Sequence, residues 1–203
     1  MSGACRVVVM ARAPVPGETK RRLIPAIGAE RAAALHRAMI RRAVATAIES
    51  GVGPVELWCT PHTDHDVFRS LRDRAQVRLH VQVGTDLGER MHAAIAAHPG
   101  ATAVVGTDCP FLEPQDLVHT AGVLRRGDAD VVIVPAFDGG YVLIGVDRPR
   151  PELFARVDWG TDRVLAQTRQ RACAARLRLA ELAARGDVDC PEDLEALAGV
   201  LEW

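Results

Sequence analysis

The chain has 203 residues, 48% hydrophobic and 25% charged, with a formal net charge of −1. This length predicts one domain, residues 1–203, with a core large enough to fold without a disulfide or a metal. The near-neutral charge argues against a nucleic-acid-binding protein, and the chain lacks the apolar run of about 18 residues that a membrane-spanning helix needs. Its five cysteines, with no CxxC pair, are typical of a reduced, cytoplasmic protein.

Short apolar runs alternate with stretches of helical spacing along the chain. The predicted strands are Cys5–Ala11, Val55–Cys59, Val77–Val83, Thr102–Thr107, Ala129–Pro135, Tyr141–Val146 and Arg178–Glu181. The predicted helices are Ala29–Ser50, Thr63–Arg74, Leu87–His98, Pro114–Arg126, Asp162–Cys173 and Pro191–Leu201. This alternation predicts a three-layer α/β/α sandwich with a mostly parallel sheet. The turn between the fifth and sixth strands predicts an antiparallel hairpin, which makes the sheet mixed.

The segment after the first predicted strand, ARAPVPGETKRRL, is a candidate phosphate-binding loop. Ligands of open α/β sheets lie beyond the carboxyl ends of the strands, and this loop concentrates Arg12, Lys20, Arg21 and Arg22 there. Lys20 is the single lysine among 25 basic residues, which suggests a position that needs a compact ammonium group. The loop is not a Walker A motif, and a solvated basic loop is the alternative.

Acidic residues follow two later segments of the chain. Asp108, in GTDCP after a predicted strand, could hold Mg²⁺ that bridges phosphates, or it could be a turn or helix-capping residue. Asp187 and Asp189 are two residues apart, so their side chains would point to the same side of an extended segment. One of them could complete a metal site with Asp108, although Asp189 could instead be a helix N-cap.

Two glycine-containing turns are further candidates. In PAFDGGY, the glycines at 139 and 140 would let a ligand approach the backbone closely, although a simple hairpin turn explains them equally well. In GTDLGERM, the amides at the start of a helix, together with Arg90, could bind an anion.

Six segments in this order resemble a known family: RAPVPGETKRRL, GTDLGERM, GTDCP, PAFDGGYVLIG, DWGT and DVDCPEDL. They are similar to glycosyltransferase-like proteins with the GT-A (nucleotide-diphospho-sugar transferase) fold, some of which are named for arsenosugar biosynthesis. More distantly, they resemble 2-phospho-lactate and molybdenum-cofactor guanylyltransferases. The resemblance implies a nucleotide over the first strands, Lys20 and Arg22 on its phosphates, a divalent metal at Asp108 and Asp189, and an acceptor beside Asp138 to Tyr141.

These arguments together select the candidate residues. The predicted catalytic residues are Lys20, Asp108 and Asp138, and the predicted metal ligands are Asp108 and Asp189. The predicted nucleotide- and substrate-binding residues are Ala11, Arg12, Gly17, Lys20, Arg22, Gly84, Gly88, Arg90, Thr107, Gly139, Gly140 and Tyr141. The sequence departs from the family pattern at Arg12, Arg21 and Val142, where the family usually has lysine, threonine and a second aromatic residue. A nucleotide-binding module without turnover is therefore one alternative.

Two reactions remain open for an enzyme of this kind. In nucleotidyl transfer, a phosphorylated small molecule attacks a nucleoside triphosphate and pyrophosphate leaves; in glycosyl transfer, a nucleotide sugar donates its sugar to a small-molecule acceptor, with a carboxylate such as Asp138 as base. A lone Asp108, where GT-A glycosyltransferases usually have a D-x-D element, favours nucleotidyl transfer. Either reaction predicts Mg²⁺ or Mn²⁺ as cofactor, and neither predicts a nucleic-acid or membrane partner. A homodimer is possible.

Overall fold

The structure, a computed structural model, describes residues 3–75 and 77–203. Within these ranges the strands are β1 (Arg6–Arg12), β2 (Val55–Thr60), β3 (Arg78–Val81), β4 (Thr102–Val105), β5 (Val131–Pro135), β6 (Tyr141–Val146) and β7 (Leu179–Glu181). The α-helices are α1 (Ile24–Ile27), α2 (Ala29–Glu49), α3 (Asp66–Ala75), α4 (Leu87–Ala96), α5 (Pro114–Arg126) and α6 (Val164–Ala174). Short 3-10 helices span Pro151–Leu153 and Pro191–Leu197.

The strands form one mixed sheet in the order β3-β2-β1-β4-β6-β5-β7. Strand β6 runs antiparallel to both β4 and β5, and the other neighbouring pairs are parallel. The predicted mostly parallel sheet with a late hairpin is therefore confirmed. Since the parallel strands all end at the same edge, the loops that follow them meet the turn between β5 and β6 there.

Alternating side chains of β1 show how the three layers form. Val7 and Val9 are fully buried and pack into the core that includes residues of α2, α3 and α5. Val8 and Met10 point to the opposite face and pack into a second core with residues of α4 and α6. Because successive strand residues face opposite sides, a strand buried on both faces becomes the continuous apolar run in the sequence.

A third apolar cluster lies outside the sheet. Leu23, at the end of the loop after β1, packs with Leu35 and Met39 of α2 and with Val188 and Leu197 near the C-terminus. This cluster joins the first loop to the C-terminal segment, which are far apart in the sequence. It brings together two of the segments that carry candidate site residues.

The helix boundaries follow local chemistry. The Asp86 side chain accepts a hydrogen bond from the Glu89 amide at 2.8 Å and caps α4. The side chains of Glu113 and Asp116 form a capping box at the start of α5, and Gly127 ends that helix in the left-handed conformation at φ 69°. Caps of this kind satisfy the backbone groups that a helix end leaves unpaired.

The structure differs from the sequence prediction mainly at short elements. The predicted helix Pro191–Leu201 is a 3-10 helix that ends at Leu197, and the predicted strand Val77–Val83 is limited to Arg78–Val81. Helix α1 and the 3-10 helix at Pro151–Leu153 are additional, and such short segments carry too little periodicity to predict. Among the described residues, none of the helices is long and apolar enough to cross a membrane.

Candidate active site

Three segments far apart in the chain meet at the carboxyl edge of the sheet. The β1 loop (residues 13–23) follows β1, the turn containing Asp108 follows β4, and the C-terminal loop (residues 182–190) follows β7. The amide of Val188 donates a hydrogen bond to the Asp108 carbonyl at 2.8 Å. This backbone bond fixes the two acidic segments side by side.

Lys20 is the centre of this meeting point. It adopts a left-handed backbone conformation (φ 46°), and only 4% of its side chain is exposed. Its Nζ donates to the Val188 carbonyl at 2.6 Å and lies 2.6 Å from Asp108 Oδ1 and 3.0 Å from Asp189 Oδ1. Three acceptors around one compact ammonium explain why a lysine stands here in a chain otherwise rich in arginine.

Burial and the two carboxylates shift the pKa of Lys20 in opposite directions. Burial lowers the pKa of its ammonium group. The charges and hydrogen bonds of Asp108 and Asp189 together raise the pKa by more than burial lowers it, so the pKa lies above its usual value. Lys20 therefore stays protonated throughout the physiological range and compensates one of the two negative charges of the carboxylate pair. Its predicted contact with substrate phosphates stays a prediction.

Asp108 and Asp189 have the chemistry of a site for a hard divalent cation. Their oxygens converge on one cationic atom, yet 53% and 44% of their side chains remain exposed toward open cavities. Mg²⁺ is typically held by one or two carboxylates, with phosphates and water completing its coordination. No cluster of three or more His, Cys, Asp or Glu side chains suited to a metal occurs in residues 3–75 and 77–203, so a two-carboxylate site is the type that fits.

Neither of these two residues is a helix N-cap, although Asp108 does lie in the turn after β4, which was its other expected role. The helix after the C-terminal loop is capped by Cys190 rather than by Asp189, and the cap of α5 is Glu113 rather than Asp108. Neither Asp108 nor Asp189 therefore caps a helix. Asp189 instead pairs with Arg22 Nη1 at 3.4 Å in addition to Lys20.

Two cavities adjoin at the carboxylate pair. We call the first, of about 540 Å³, the basic cavity, and the second, of about 500 Å³, the acidic cavity. The residues that line both cavities are Met10, Arg22, Leu87, Gly106, Asp108 and Asp189. Asp108 and Asp189 therefore form part of a common wall.

The basic cavity lies over the ends of β1 and β2 and carries most of the cations of the site. The charged side chains on its lining are Arg12, Lys20, Arg21, Arg22 and Arg90, against Glu18, Asp108 and Asp189. The predicted residues Ala11, Arg12, Lys20, Arg22, Arg90, Thr107, Asp108 and Asp189 all line it. Convergent cations beside free loop amides suit an anionic, phosphate-bearing ligand.

The acidic cavity lies on the other side of the wall. Its lining adds Asp138, Asp162 and Asp187 to the shared pair, and an apolar flank includes Met91 and Trp159. Gly140 and Tyr141 also line it, as predicted. The Asp138 Oδ1 accepts a hydrogen bond from the Gly140 amide at 2.8 Å, which orients the carboxylate.

The pKa of Asp187, which lines this cavity, is raised above its ordinary value. Burial raises the pKa of its carboxyl group to about 6, and the nearby charges of Asp138, Asp189 and Asp108 contribute in the same direction. Like charges raise a carboxyl pKa because they disfavour its ionised form. The charged residues on the cavity lining are the five aspartates Asp108, Asp138, Asp162, Asp187 and Asp189 against one cation, Arg22.

Four predicted glycines do not line either cavity. Gly17 is in an open turn at φ 83°, and Gly139 is at φ 90° with its backbone against Asp162. A Cβ on Gly84 would lie 2.7 Å from Glu89 Cβ, and one on Gly88 would lie 2.6 Å from the Trp159 indole nitrogen. These glycines permit turns and close packing within the protein.

The start of α4 is not an open anion site. The Thr85 amide donates to the Glu89 carboxylate at 2.7 Å, and the Glu89 amide donates to Asp86. The helix thus satisfies amides at its own N-terminus with its own carboxylates. Of the residues predicted to bind ligand in this segment, Arg90 lines the basic cavity, whereas Gly84 and Gly88 do not.

Sequence reasoning missed His36 on α2. Its ring lies on the floor of the basic cavity with 4% of the residue exposed, and its two nitrogens contact the hydroxyls of Thr19 and Thr107. Burial lowers the pKa of His36 to about 4, so the imidazole is neutral at pH 7. A histidine one helical turn from the buried Ala32 and Ile40 is the sequence signal that could have found it.

The fold defines the chain as a nucleotide-diphospho-sugar transferase-like α/β protein. A crystal structure from Desulfovibrio desulfuricans G20, provisionally described as a nucleotide-diphospho-sugar transferase, matches with a TM-score of 0.85 at 28% identity, covering 95% of this chain and 85% of the other. The expected GT-A-like fold is thereby confirmed. The chain belongs to the family described as "uncharacterized protein conserved in bacteria (DUF2064)", which matches residues 43–161.

More distant structures share the fold alone. CMP:2-keto-3-deoxy-manno-octonic acid synthetase, solved with CTP, matches with a TM-score of 0.61 at 14% identity over 97% of this chain and 98% of its own. Glucosyl-3-phosphoglycerate synthase from Mycobacterium tuberculosis, solved with Mn²⁺, uridine diphosphate and glucosyl-3-phosphoglycerate, matches with a TM-score of 0.59 at 14% identity over 96% of this chain and 75% of its own. The expected class, a transferase, agrees with the description of the Desulfovibrio structure. No curated protein matches the sequence.

Proposed function

We propose that the protein is a divalent-metal-dependent glycosyltransferase that takes a sugar from a nucleoside-diphospho-sugar and transfers it to a small-molecule acceptor. The observation that carries this proposal is the opposite charge of the two cavities on either side of the Asp108–Asp189 wall. The nucleoside diphosphate would occupy the basic cavity, and the sugar and acceptor the acidic cavity.

The charge of the acidic cavity disfavours a phosphorylated second substrate. The ion pairs of the site involve Asp108 and Asp189, whereas within the described ranges no cation pairs with Asp138, Asp162 or Asp187. A phosphate placed among these carboxylates would be repelled. Sugar hydroxyls, in contrast, donate hydrogen bonds to carboxylates, and the apolar flank at Trp159 suits the C–H face of a sugar ring.

The basic cavity supplies what the diphosphate needs. Arg12, Arg22 and Arg90 line it and would neutralise phosphate charge that grows as the leaving group departs. Asp108 and Asp189 would hold Mg²⁺ or Mn²⁺, which when bound supplies further stabilisation of the diphosphate as a leaving group. Lys20 forms an ion pair with each of the two carboxylates and so keeps them close together.

Asp138 is the proposed general base. Because one of its oxygens is bound by the Gly140 amide, the other is available to an acceptor hydroxyl. Asp138 takes the hydroxyl proton while the acceptor oxygen forms a bond to the anomeric carbon of the sugar. The bond between that carbon and the diphosphate oxygen breaks, and the nucleoside diphosphate leaves with the bonding electrons.

Nucleotidyl transfer is the second candidate. The observation that favours it is the group of four arginines and Lys20 on the lining of the basic cavity, enough positive charge for a triphosphate. In that reaction, pyrophosphate rather than a nucleoside diphosphate would be released.

Product analysis separates these candidates. The protein is incubated with Mn²⁺ and each of a panel of nucleotide sugars and nucleoside triphosphates, and the release of nucleoside diphosphate or pyrophosphate is measured, with Asp108→Asn as the matched control. We expect metal-dependent release of a nucleoside diphosphate from one nucleotide sugar, slow with water and faster with an acceptor. Pyrophosphate release from a triphosphate would replace the proposal with the second candidate. Metal-dependent binding without turnover would indicate a nucleotide-binding module.

A further inference from the structure

His36 connects the two loops that carry the charged centre of the site. Its Nδ1 forms a hydrogen bond with Thr19 Oγ1, and its Nε2 lies 3.3 Å from Thr107 Oγ1. Thr19 is the chain neighbour of Lys20, and Thr107 is the chain neighbour of Asp108. The imidazole therefore stands beneath the Lys20–Asp108 ion pair and touches the residue beside each partner.

This bridge is buried and directional. Thr19, His36 and Thr107 are 4%, 4% and 5% exposed, so water cannot readily replace their mutual hydrogen bonds. A neutral imidazole has one N–H donor and one acceptor nitrogen. One threonine must therefore donate to the ring while the other accepts from it, which fixes both hydroxyls and both loops relative to α2.

We infer that His36 is a positioning residue that sets the distance between the β1 loop and the Asp108 turn, and with it the shape of the diphosphate and metal site. The catalytic meaning of this role rests on the proposed function. The positioning role itself predicts where the Lys20 ammonium group lies, and that position can be tested without any substrate.

The single lysine of the chain makes that measurement possible. Protein made with isotope-labelled lysine gives one ammonium signal in an NMR spectrum, because Lys20 is the only lysine in the sequence. In the wild type, three acceptors around Nζ should slow ammonium proton exchange and give a resolved signal. We expect His36→Leu, which removes both hydrogen bonds of the ring, to shift this signal and speed the exchange.

Conservative variants keep the test independent of unfolding. His36→Gln retains an amide donor and acceptor at a similar reach and should restore most of the wild-type signal, whereas His36→Asn has the same groups on a shorter side chain and should not. Thr46→Val is the matched control, since Thr46 is also buried on α2 and loses a hydroxyl contact to the Leu112 carbonyl. Thr46→Val should leave the Lys20 signal in place.

Binding of Mn²⁺ with inorganic pyrophosphate supplies the second readout. Calorimetry should show affinity reduced about tenfold or more in His36→Leu, as is typical when a residue that orients a metal ligand is lost. His36→Gln should recover most of that affinity, and Thr46→Val should retain it.

The outcomes separate this inference from the proposed function. An unchanged Lys20 signal in His36→Leu would overturn the positioning role, and so would a change as large in Thr46→Val. If the Lys20 signal responds as expected while the wild type releases no nucleoside diphosphate from any nucleotide sugar in the product analysis, the positioning role stands and the proposed function is overturned.

Discussion

The basic cavity and the acidic cavity share the Asp108–Asp189 wall but offer a ligand opposite environments. The first is lined by four arginines, whereas the second shares one of them, Arg22, and combines carboxylates with an apolar flank. Under the proposed function, a donor that crosses the wall would be anionic at one end and uncharged at the other. A nucleoside-diphospho-sugar has this distribution of charge. The contrast between the cavities therefore matches the charge at the two ends of the proposed donor.

The largest effect is expected from the shared wall itself. Asp108→Asn removes a carboxylate from the proposed metal site and one of the two negative partners of Lys20. Turnover should fall by about 10³-fold or more, because charge stabilisation of the leaving group is lost. Donor turnover and Mn²⁺ binding should decline together, and full activity of the variant would rule out this metal site.

Asp138→Asn should affect catalysis in the acidic cavity without affecting ligand binding in the basic cavity. Loss of the proposed base should lower kcat by about 10²-fold or more, while the affinity for the nucleoside diphosphate stays unchanged. Steady-state kinetics and calorimetry with the nucleoside diphosphate identified by the product analysis would measure both. Asp162→Asn, a carboxylate of the same cavity without a catalytic assignment, is the control. Equal losses of kcat in both variants would contradict the role of Asp138.

Acid should weaken the structure beneath the basic cavity. The pKa of His36 is about 4 in the folded protein against an ordinary value of 6.5, so between these values the unfolded chain binds a proton that the folded protein does not. The free energy of unfolding should fall by up to about 3 kcal/mol as the pH drops through this range.

Urea unfolding of the wild type and of His36→Gln at pH 7 and pH 4.5, with a chelator present, would measure this effect. The raised pKa of Asp187 acts in the opposite direction, because the folded protein then binds the extra proton. The comparison with His36→Gln removes that contribution, since both proteins contain Asp187. Parallel losses of stability in the two proteins would exclude His36 as the cause.

Gly88→Ala should disturb the acidic cavity with a smaller effect. The new Cβ would lie 2.6 Å from the Trp159 indole nitrogen, so the indole would have to move away from α4. We expect a loss of about 1–3 kcal/mol of stability and weaker nucleotide-sugar binding, with nucleoside diphosphate binding unchanged. Gly122→Ala in α5, which meets only the flexible end of Arg126, is the control. If Gly88→Ala is as stable as wild type, Trp159 does not depend on this contact.

The long elements could be predicted because their patterns are strong. The apolar run of β1 and the helical spacing of Ala32, Leu35 and Met39 in α2 correspond to buried faces in the structure. The position of ligand-facing loops followed from the rule that they lie at the carboxyl edge of the sheet. Lys20 was identified from its place in the loop after the first strand, from its being the single lysine of the chain and from the family resemblance.

The remaining details depended on tertiary contacts. Gly84 and Gly88 matched an anion-binding pattern, but the structure uses them for packing against Glu89 and Trp159. The ion pairs of Lys20 join residues on three separate segments, and no local pattern encodes them. The charge contrast between the cavities arises from the same long-range assembly.

The contacts of Lys20 also have a consequence for how the protein is made. Its partners Val188 and Asp189 follow it by 168 and 169 residues, so a ribosome must add all of the residues between them before the ammonium group can meet these partners. A nascent chain that has reached the end of β6 contains the strands β1 to β6, yet it lacks Asp189, one of the two carboxylates of the wall. Products truncated before Val188 would thus contain most of the sheet without the finished site, which needs Val188 and Asp189.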